Sequence, residues 1–72
     1  MTRARRISGK ELLRLLQKHG FEVARVRGSH HVVRHPDGHK STVPVHGNEV
    51  LGIGLLSSIL KECGLGFDDL SD

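Results

Sequence analysis

Two adjacent histidines that follow a predicted tight turn are the residues of this 72-residue chain best suited to chemistry. His30 and His31 come directly after Gly28 and Ser29. An imidazole beside an RNA phosphate can take a proton from the ribose 2′-hydroxyl or give one to the leaving oxygen, and no metal ion is needed because the nucleophile belongs to the substrate. Strand side chains alternate, so the two rings face opposite ways. The alternative is that both are ordinary polar strand residues.

Basic side chains surround these histidines. Arg25 and Arg27 occupy alternate positions just before the turn, so we expect them to share a face and hold adjacent phosphates. Residues 1–40 carry ten Lys or Arg and three acidic side chains, whereas residues 41–72 carry one and five. This polarity favours an anionic partner, nucleic acid above all. It also fits a non-catalytic RNA-binding module, or a domain whose main role is to bind an acidic protein.

A metal site and a cysteine nucleophile have weaker support. His31, His35 and His39 are four residues apart, but the turn signal at residues 36–38 interrupts the helix that such spacing would require. We therefore expect no metal and no cofactor. Cys63 extends an apolar helical stripe and lies near a helix C-terminus, which raises a thiol pKa. We expect it to be a small core residue.

Five elements must position these residues. Ser8 and Glu11 form a capping box before a leucine stripe, and Gly20 ends that first helix. The pattern predicts helices over residues 9–19 and 54–63, and strands over residues 21–27, 30–35 and 40–45. The expected fold is α+β, in the order α-β-β-β-α. It has a three-stranded antiparallel sheet with both helices on one face.

The chain is predicted to form a single domain over residues 1–72. Residues 1–7 are a basic N-terminal arm, and residues 66–72 are an acidic tail in which Phe67 and Leu70 form one last turn. No apolar run approaches the roughly 18 residues of a membrane span, so no membrane partner is expected. The single cysteine excludes an internal disulfide and fits a reducing compartment, which predicts a cytoplasmic location.

Four short motifs in a fixed order carry a family resemblance. They are Gly28-Ser29-His30, His35-Pro36-Asp37-Gly38, Val43-Pro44-x-His46 and Ile59-Leu60-Lys61-x-x-Gly64-Leu65. Over residues 8–65 the chain resembles the HicA-type toxins of bacterial and archaeal toxin–antitoxin pairs. The resemblance implies a fold like that of double-stranded-RNA-binding domains and an endoribonuclease that cleaves mRNA without a ribosome. It also implies a HicB-type antitoxin that covers the active site.

The resemblance assigns roles around the predicted turn. In the HicA family, the catalytic histidine follows a Gly-Ser or Gly-Gly pair. The resemblance therefore makes His30 the first choice for the catalytic residue. Some relatives place that histidine one residue later, so His31 is the second choice. Gly28 would hold the turn, and Ser29 would set the approach of the histidine.

The chain departs from its relatives near the second helix. Relatives commonly have a basic residue near the position of Ser57 and often a proline near that of Gly52. The cations that bind RNA phosphates are therefore expected to be Lys10, Arg25 and Arg27.

Overall fold

The structure is a computed structural model that describes residues 6–70, and its elements follow the predicted order. They are α1 (Gly9–Lys18), β1 (Glu22–Arg27), β2 (His30–Arg34), β3 (Lys40–Pro44) and α2 (Ile53–Glu62), followed by a 3-10 helix (Phe67–Leu70). Each boundary lies within one residue of its prediction. The α+β fold expected from the sequence is confirmed.

The first helix begins at the predicted capping box. Ser8 has extended backbone angles (φ −82°, ψ 165°), and its hydroxyl accepts a hydrogen bond from the Glu11 N–H at 3.2 Å. The Glu11 carboxylate in turn accepts from the Ser8 N–H at 3.1 Å. Two of the amide groups that a helix leaves unpaired at its N-terminus are thereby satisfied.

The three strands form one antiparallel sheet with β2 in the centre. The pairing of β2 with β3 is regular along its length. The pairing of β1 with β2 shifts by one residue between Val23 and Arg25, which leaves Ala24 as an extra residue. Such a bulge reverses the face to which the following side chains point.

Both helices cover the same face of this sheet. Val33 of β2 and Val43 of β3 are each 0% exposed, and the hydroxyl of buried Ser41 donates to the Glu62 carboxylate of α2. The buried apolar residues form one cluster, which contains Ile7, Leu12, Leu15, Leu16, Phe21, Val33, Val43, Leu56, Ile59, Leu60, Cys63 and Leu70. No helix of residues 6–70 covers the other side of the sheet, and we call this side the open face.

The second helix ends at Glu62, Cys63 is its C-cap, and Gly64 follows with a φ of +73°. The Cys63 side chain is buried in the core, where burial, helped by the charge of Glu62, raises the pKa of the thiol to about 11. These observations agree with the predicted core role. Within residues 6–70, no helix is long and apolar enough to cross a lipid bilayer.

The described parts of both predicted terminal segments pack against the domain. Ile7 is fully buried, and its carbonyl accepts a hydrogen bond from the Leu51 N–H at 2.9 Å. The predicted last turn is present as the 3-10 helix, and Leu70 is buried. Residues 1–5 and 71–72 of the predicted arm and tail lie outside the described residues.

The turn between β2 and β3 joins the C-terminal ends of both helices. The Asp37 carboxylate lies 3.0 Å from Nδ1 of His35 and 2.9 Å from Nδ1 of His39. The two rings occupy the space beside the glycines that follow the helices, because a Cβ at Gly20 would lie 2.8 Å from Nε2 of His35 and one at Gly64 would lie 2.9 Å from Nε2 of His39. The side chains of His35 and His39 therefore connect this end of the sheet to the glycines that follow the two helices.

We expect the Asp37 carboxyl to titrate below its ordinary pKa of 3.8, because the backbone N–H and the side chain of His39 both donate to the carboxylate. A lowered folded-state pKa means that the ionised form stabilises the fold above about pH 4, and that this contribution is lost as the pH falls through the lowered pKa. An NMR titration of the Asp37 side chain measures the midpoint.

The variant His39→Ala provides the control for this titration. It should raise the pKa of Asp37 only part of the way, because the backbone N–H of residue 39 remains. A wild-type midpoint at or above 3.8 would contradict the geometry of this turn.

Candidate nucleic-acid interface

The turn between β1 and β2 is a two-residue loop of the kind the sequence predicts. Gly28 has a φ of +59°, and within the described range only glycines have positive φ, so Ser29 does not. This combination is typical of a type II′ hairpin turn. The Ser29 carbonyl accepts a hydrogen bond from the Val45 N–H at 2.7 Å. The turn is therefore fixed to the chain that leaves β3.

His30 lies at the end of the open face. It pairs with Arg27 on β1 and with Pro44 on β3, and residues directly opposite one another point to the same side of a sheet. The Cβ atoms of such pairs are about 5 Å apart. The His30 side chain is exposed and makes no hydrogen bond with another residue of the range 6–70. Its ring is free to contact a ligand, and the exposed side chain of Arg27 starts from the position directly opposite.

His31 points to the side of the sheet that carries the helices. It pairs with Val26 on β1 and with fully buried Val43 on β3. Its ring is half-buried, and Nδ1 lies 3.2 Å from the Ser29 carbonyl oxygen. The structure therefore separates the two candidate histidines, and only His30 shares a face with the predicted arginines.

Arg25 and Arg27 share a face, as alternation predicts, and the register places them on the open face. Arg25 pairs with Val32, whereas Val23 pairs with Val33 on the side of the helices. Without the extra residue at the bulge, Val23 would share the face of the two arginines. The bulge thus allows one strand to supply a valine that packs against the core and two exposed cations.

Sequence reasoning missed two further cations on this face. Arg34 and Lys40 are paired across β2 and β3, and both are exposed. Arg34 follows His30 by four residues on the same strand, so alternation alone would have placed it on the face of His30. Lys40 could be added only from the register of the second hairpin.

Lys10 lies apart from this group. It is in the first turn of α1, which belongs to the helical layer on the other side of the sheet. The structure therefore brings together five of the seven predicted site positions, namely Arg25, Arg27, Gly28, Ser29 and His30. The predicted contact of Lys10 with RNA phosphates stays a prediction.

The three evenly spaced histidines do not meet. His31 lies beside the β1–β2 turn, and His35 and His39 lie at the opposite end of the sheet. Among residues 6–70, no group of three or more His, Cys, Asp or Glu side chains is arranged to hold a metal ion.

The family model for the HicA toxin of bacterial toxin–antitoxin systems matches residues 9–65. The chain belongs to the HicA toxin family. The matched range contains the Gly28-Ser29-His30 turn, the whole sheet and both helices. Membership of the HicA family implies an antitoxin partner. No curated protein matches the chain.

We expect Gly28→Ala to lower the free energy of unfolding by about 1–2 kcal/mol, because only glycine adopts positive φ without strain. The strain comes from the backbone alone, since no described residue other than the two chain neighbours has an atom within 4 Å of the position that the new Cβ would occupy. Urea denaturation measures the change.

Gly54→Ala is the matched control for Gly28→Ala. Gly54 lies in α2, has no positive φ and has open space at its Cβ position. Alanine is the better helix former, so this change should stabilise by up to about 1 kcal/mol. Equal effects of the two changes would contradict the described turn.

Proposed function

We propose that this member of the HicA family is an endoribonuclease that cleaves mRNA without a ribosome and without a metal ion, with His30 as the catalytic residue. The position of His30 carries the proposal. Its ring is exposed, stands at the end of the open face and lies directly opposite Arg27. An imidazole next to a guanidinium is suited to a phosphodiester whose own ribose supplies the nucleophile.

In the proposed reaction, the ribose 2′-oxygen bonds to the adjacent phosphorus, and the bond from phosphorus to the 5′-oxygen of the next nucleotide breaks. The products are a 2′,3′-cyclic phosphate and a free 5′-hydroxyl. The 2′-hydroxyl loses one proton and the leaving oxygen gains one, so no further reactant is consumed. His30 carries one of these two protons, and water carries the other.

The arginines of the open face supply the charge stabilisation in this proposal. Arg27, opposite His30, would contact the phosphate that is cleaved, and Arg25 would contact a neighbouring phosphate. Guanidinium groups that are already in place stabilise the negative charge that develops on the phosphoryl oxygens. Lys10 lies in the helical layer, so we expect Lys10→Ala to weaken RNA binding less than Arg27→Ala.

The open face favours slow cleavage with little sequence preference. The chain has no Trp or Tyr, Phe21 is buried in the core, and Phe67 is half-buried in the 3-10 helix. No Phe, Tyr or Trp ring is therefore available on this face to stack on a base. One general acid–base group contributes about 10²- to 10⁴-fold to a rate.

The antitoxin that family membership implies would, in this proposal, be of the HicB type and would cover the open face. Acidic side chains of the antitoxin would compete with RNA phosphates for Arg25 and Arg27. Toxin activity would then depend on the removal of the antitoxin.

The alternative function is a non-catalytic RNA-binding module, and the same cationic face supports it. Both functions predict binding that weakens with salt. Incubation of the purified protein with end-labelled RNA in a chelator distinguishes them. Cleaved RNA that ends in a cyclic phosphate supports the nuclease, whereas bound but intact RNA supports the binding module.

We expect His30→Ala to slow RNA cleavage by about 10²- to 10⁴-fold, as removal of one acid–base group should. The adjacent change His31→Ala is the matched control, because His31 lies on the same strand but on the side of the helices. It should retain most of the activity. If His30→Ala cleaves as fast as the wild type, or if His31→Ala is the inactive variant, His30 is not the catalytic residue.

We expect Arg27→Ala to weaken RNA binding and to flatten its salt dependence. Each phosphate contact on a single strand contributes about 0.7 to the slope of log K against log salt concentration. Arg14→Ala removes the same charge from the exposed side of α1 and serves as the control. Fluorescence anisotropy at several salt concentrations gives both slopes. An equal loss of slope in the two variants would show that the open face has no special role.

A further inference from the structure

The open face continues beyond the proposed catalytic residue to a second pair of cations. Arg34 and Lys40 lie directly opposite one another at the far end of the paired part of β2 and β3. Both point to the side of the sheet that carries His30, because the pairing of β2 with β3 is regular between the two ends. The face therefore has cations at both ends.

These two cations have little structural role in the domain. The Arg34 Nε–H donates to the Glu22 carboxylate at 3.0 Å, but both side chains are about two-thirds exposed, at 64% and 65%. Exposed ion pairs of this kind contribute little to stability. Lys40 has no ion-pair or hydrogen-bond partner for its side chain among residues 6–70. Both cations are available to an external anion.

The spacing of the cations follows the length of an extended nucleic-acid strand. His30 and Arg34 are four residues apart on one strand, which corresponds to about 13 Å at 3.3 Å per residue. The pair of Arg25 and Val32 lies midway between them. Cations thus occur in three successive cross-strand rows, which contain Arg27, Arg25 and the pair of Arg34 and Lys40. The rows are about 7 Å apart, which is close to the spacing of successive phosphates along an extended single strand.

We propose that Arg34 and Lys40 form a second phosphate-binding subsite, two phosphates away from the bond that is cleaved, for a single RNA strand that runs along β2. The inference rests on the proposed nuclease function and adds the form of its substrate. A single strand is favoured because the 2′-oxygen must attack in line with the leaving oxygen, an arrangement that the regular geometry of an RNA duplex does not provide. The contacts are to the backbone, so the subsite selects for strand length and not for base identity.

Oligonucleotides with one unmodified ribose test this proposal, because 2′-O-methyl groups elsewhere fix the cleaved bond. The series adds one, two and three phosphates to the 5′ side or to the 3′ side of that bond. We expect kcat/KM to rise by about tenfold when the second phosphate is added on one side only, the effect of one charge-assisted contact. In the double variant Arg34→Ala, Lys40→Ala, the ratio of kcat/KM for long and short substrates should fall to about one.

Two further variants separate phosphate binding from a structural role. The charge-matched double variant Arg14→Ala, Lys61→Ala removes exposed cations from the two helices and should keep the wild-type ratio. Glu22→Gln frees Arg34 from its carboxylate partner and should increase the ratio, whereas a purely structural ion pair predicts no gain.

The outcomes distinguish the subsite from the function on which it rests. If the wild-type protein cleaves RNA but shows no dependence on the second phosphate, or if the dependence survives in Arg34→Ala, Lys40→Ala, the subsite is wrong and the nuclease stands. If the wild-type protein cleaves neither these oligonucleotides nor unmodified RNA, both proposals are wrong.

Discussion

A shift of one residue in β1 is the constraint on which the cationic face depends. In a regular strand Val23 and Arg25 would share a side, since side chains alternate with a period of two. Either the half-buried valine would lose its packing against the core or the arginine would point toward the helices, where burial of an unpaired charge is costly. The extra residue at Ala24 resolves the conflict, because Val23 packs toward the helices while Arg25 and Arg27 point away from them. The small, exposed alanine accommodates the bulge without disturbing the core.

The histidines at the two ends of the sheet have different surroundings. At one end, the turn around Asp37 is joined through His35 and His39 to the chain that follows both helices, so histidines there have structural partners. At the other end, the Gly28–Ser29 turn is fixed by the hydrogen bond from the Val45 N–H to the Ser29 carbonyl. The His30 ring has no hydrogen-bond partner among residues 6–70. The same residue type thus serves stability at one end and is available for chemistry at the other.

The order and limits of the elements could be predicted from local signals, namely the Ser8 capping box, the leucine stripe of α1 and the glycine turns. The face on which His30 lies could not be predicted, because alternation places Val32 on the face of His30 and Val33 on the face of His31, and one valine on each face gives no preference. The packing of Val33 under the helices shows which side chains of β2 point to the helices and which to the open face. The bulge also left no signal in the sequence, since Ala24 is neither glycine nor proline. Lys40, which lies beyond the first hairpin, could be placed only from the register of the second.

In the proposed complex, RNA lies on the open face of the sheet and not across the helices. An NMR titration of the protein with an uncleavable 2′-O-methyl RNA strand locates the RNA through the side-chain signals of His30, of the arginines on the open face and of Lys40. We predict that the largest shifts occur at His30, Arg27 and Arg34, while His31 and the exposed side of α1 change little. Shifts centred on α1 and the N-terminal end of α2, with His30 unperturbed, would contradict it.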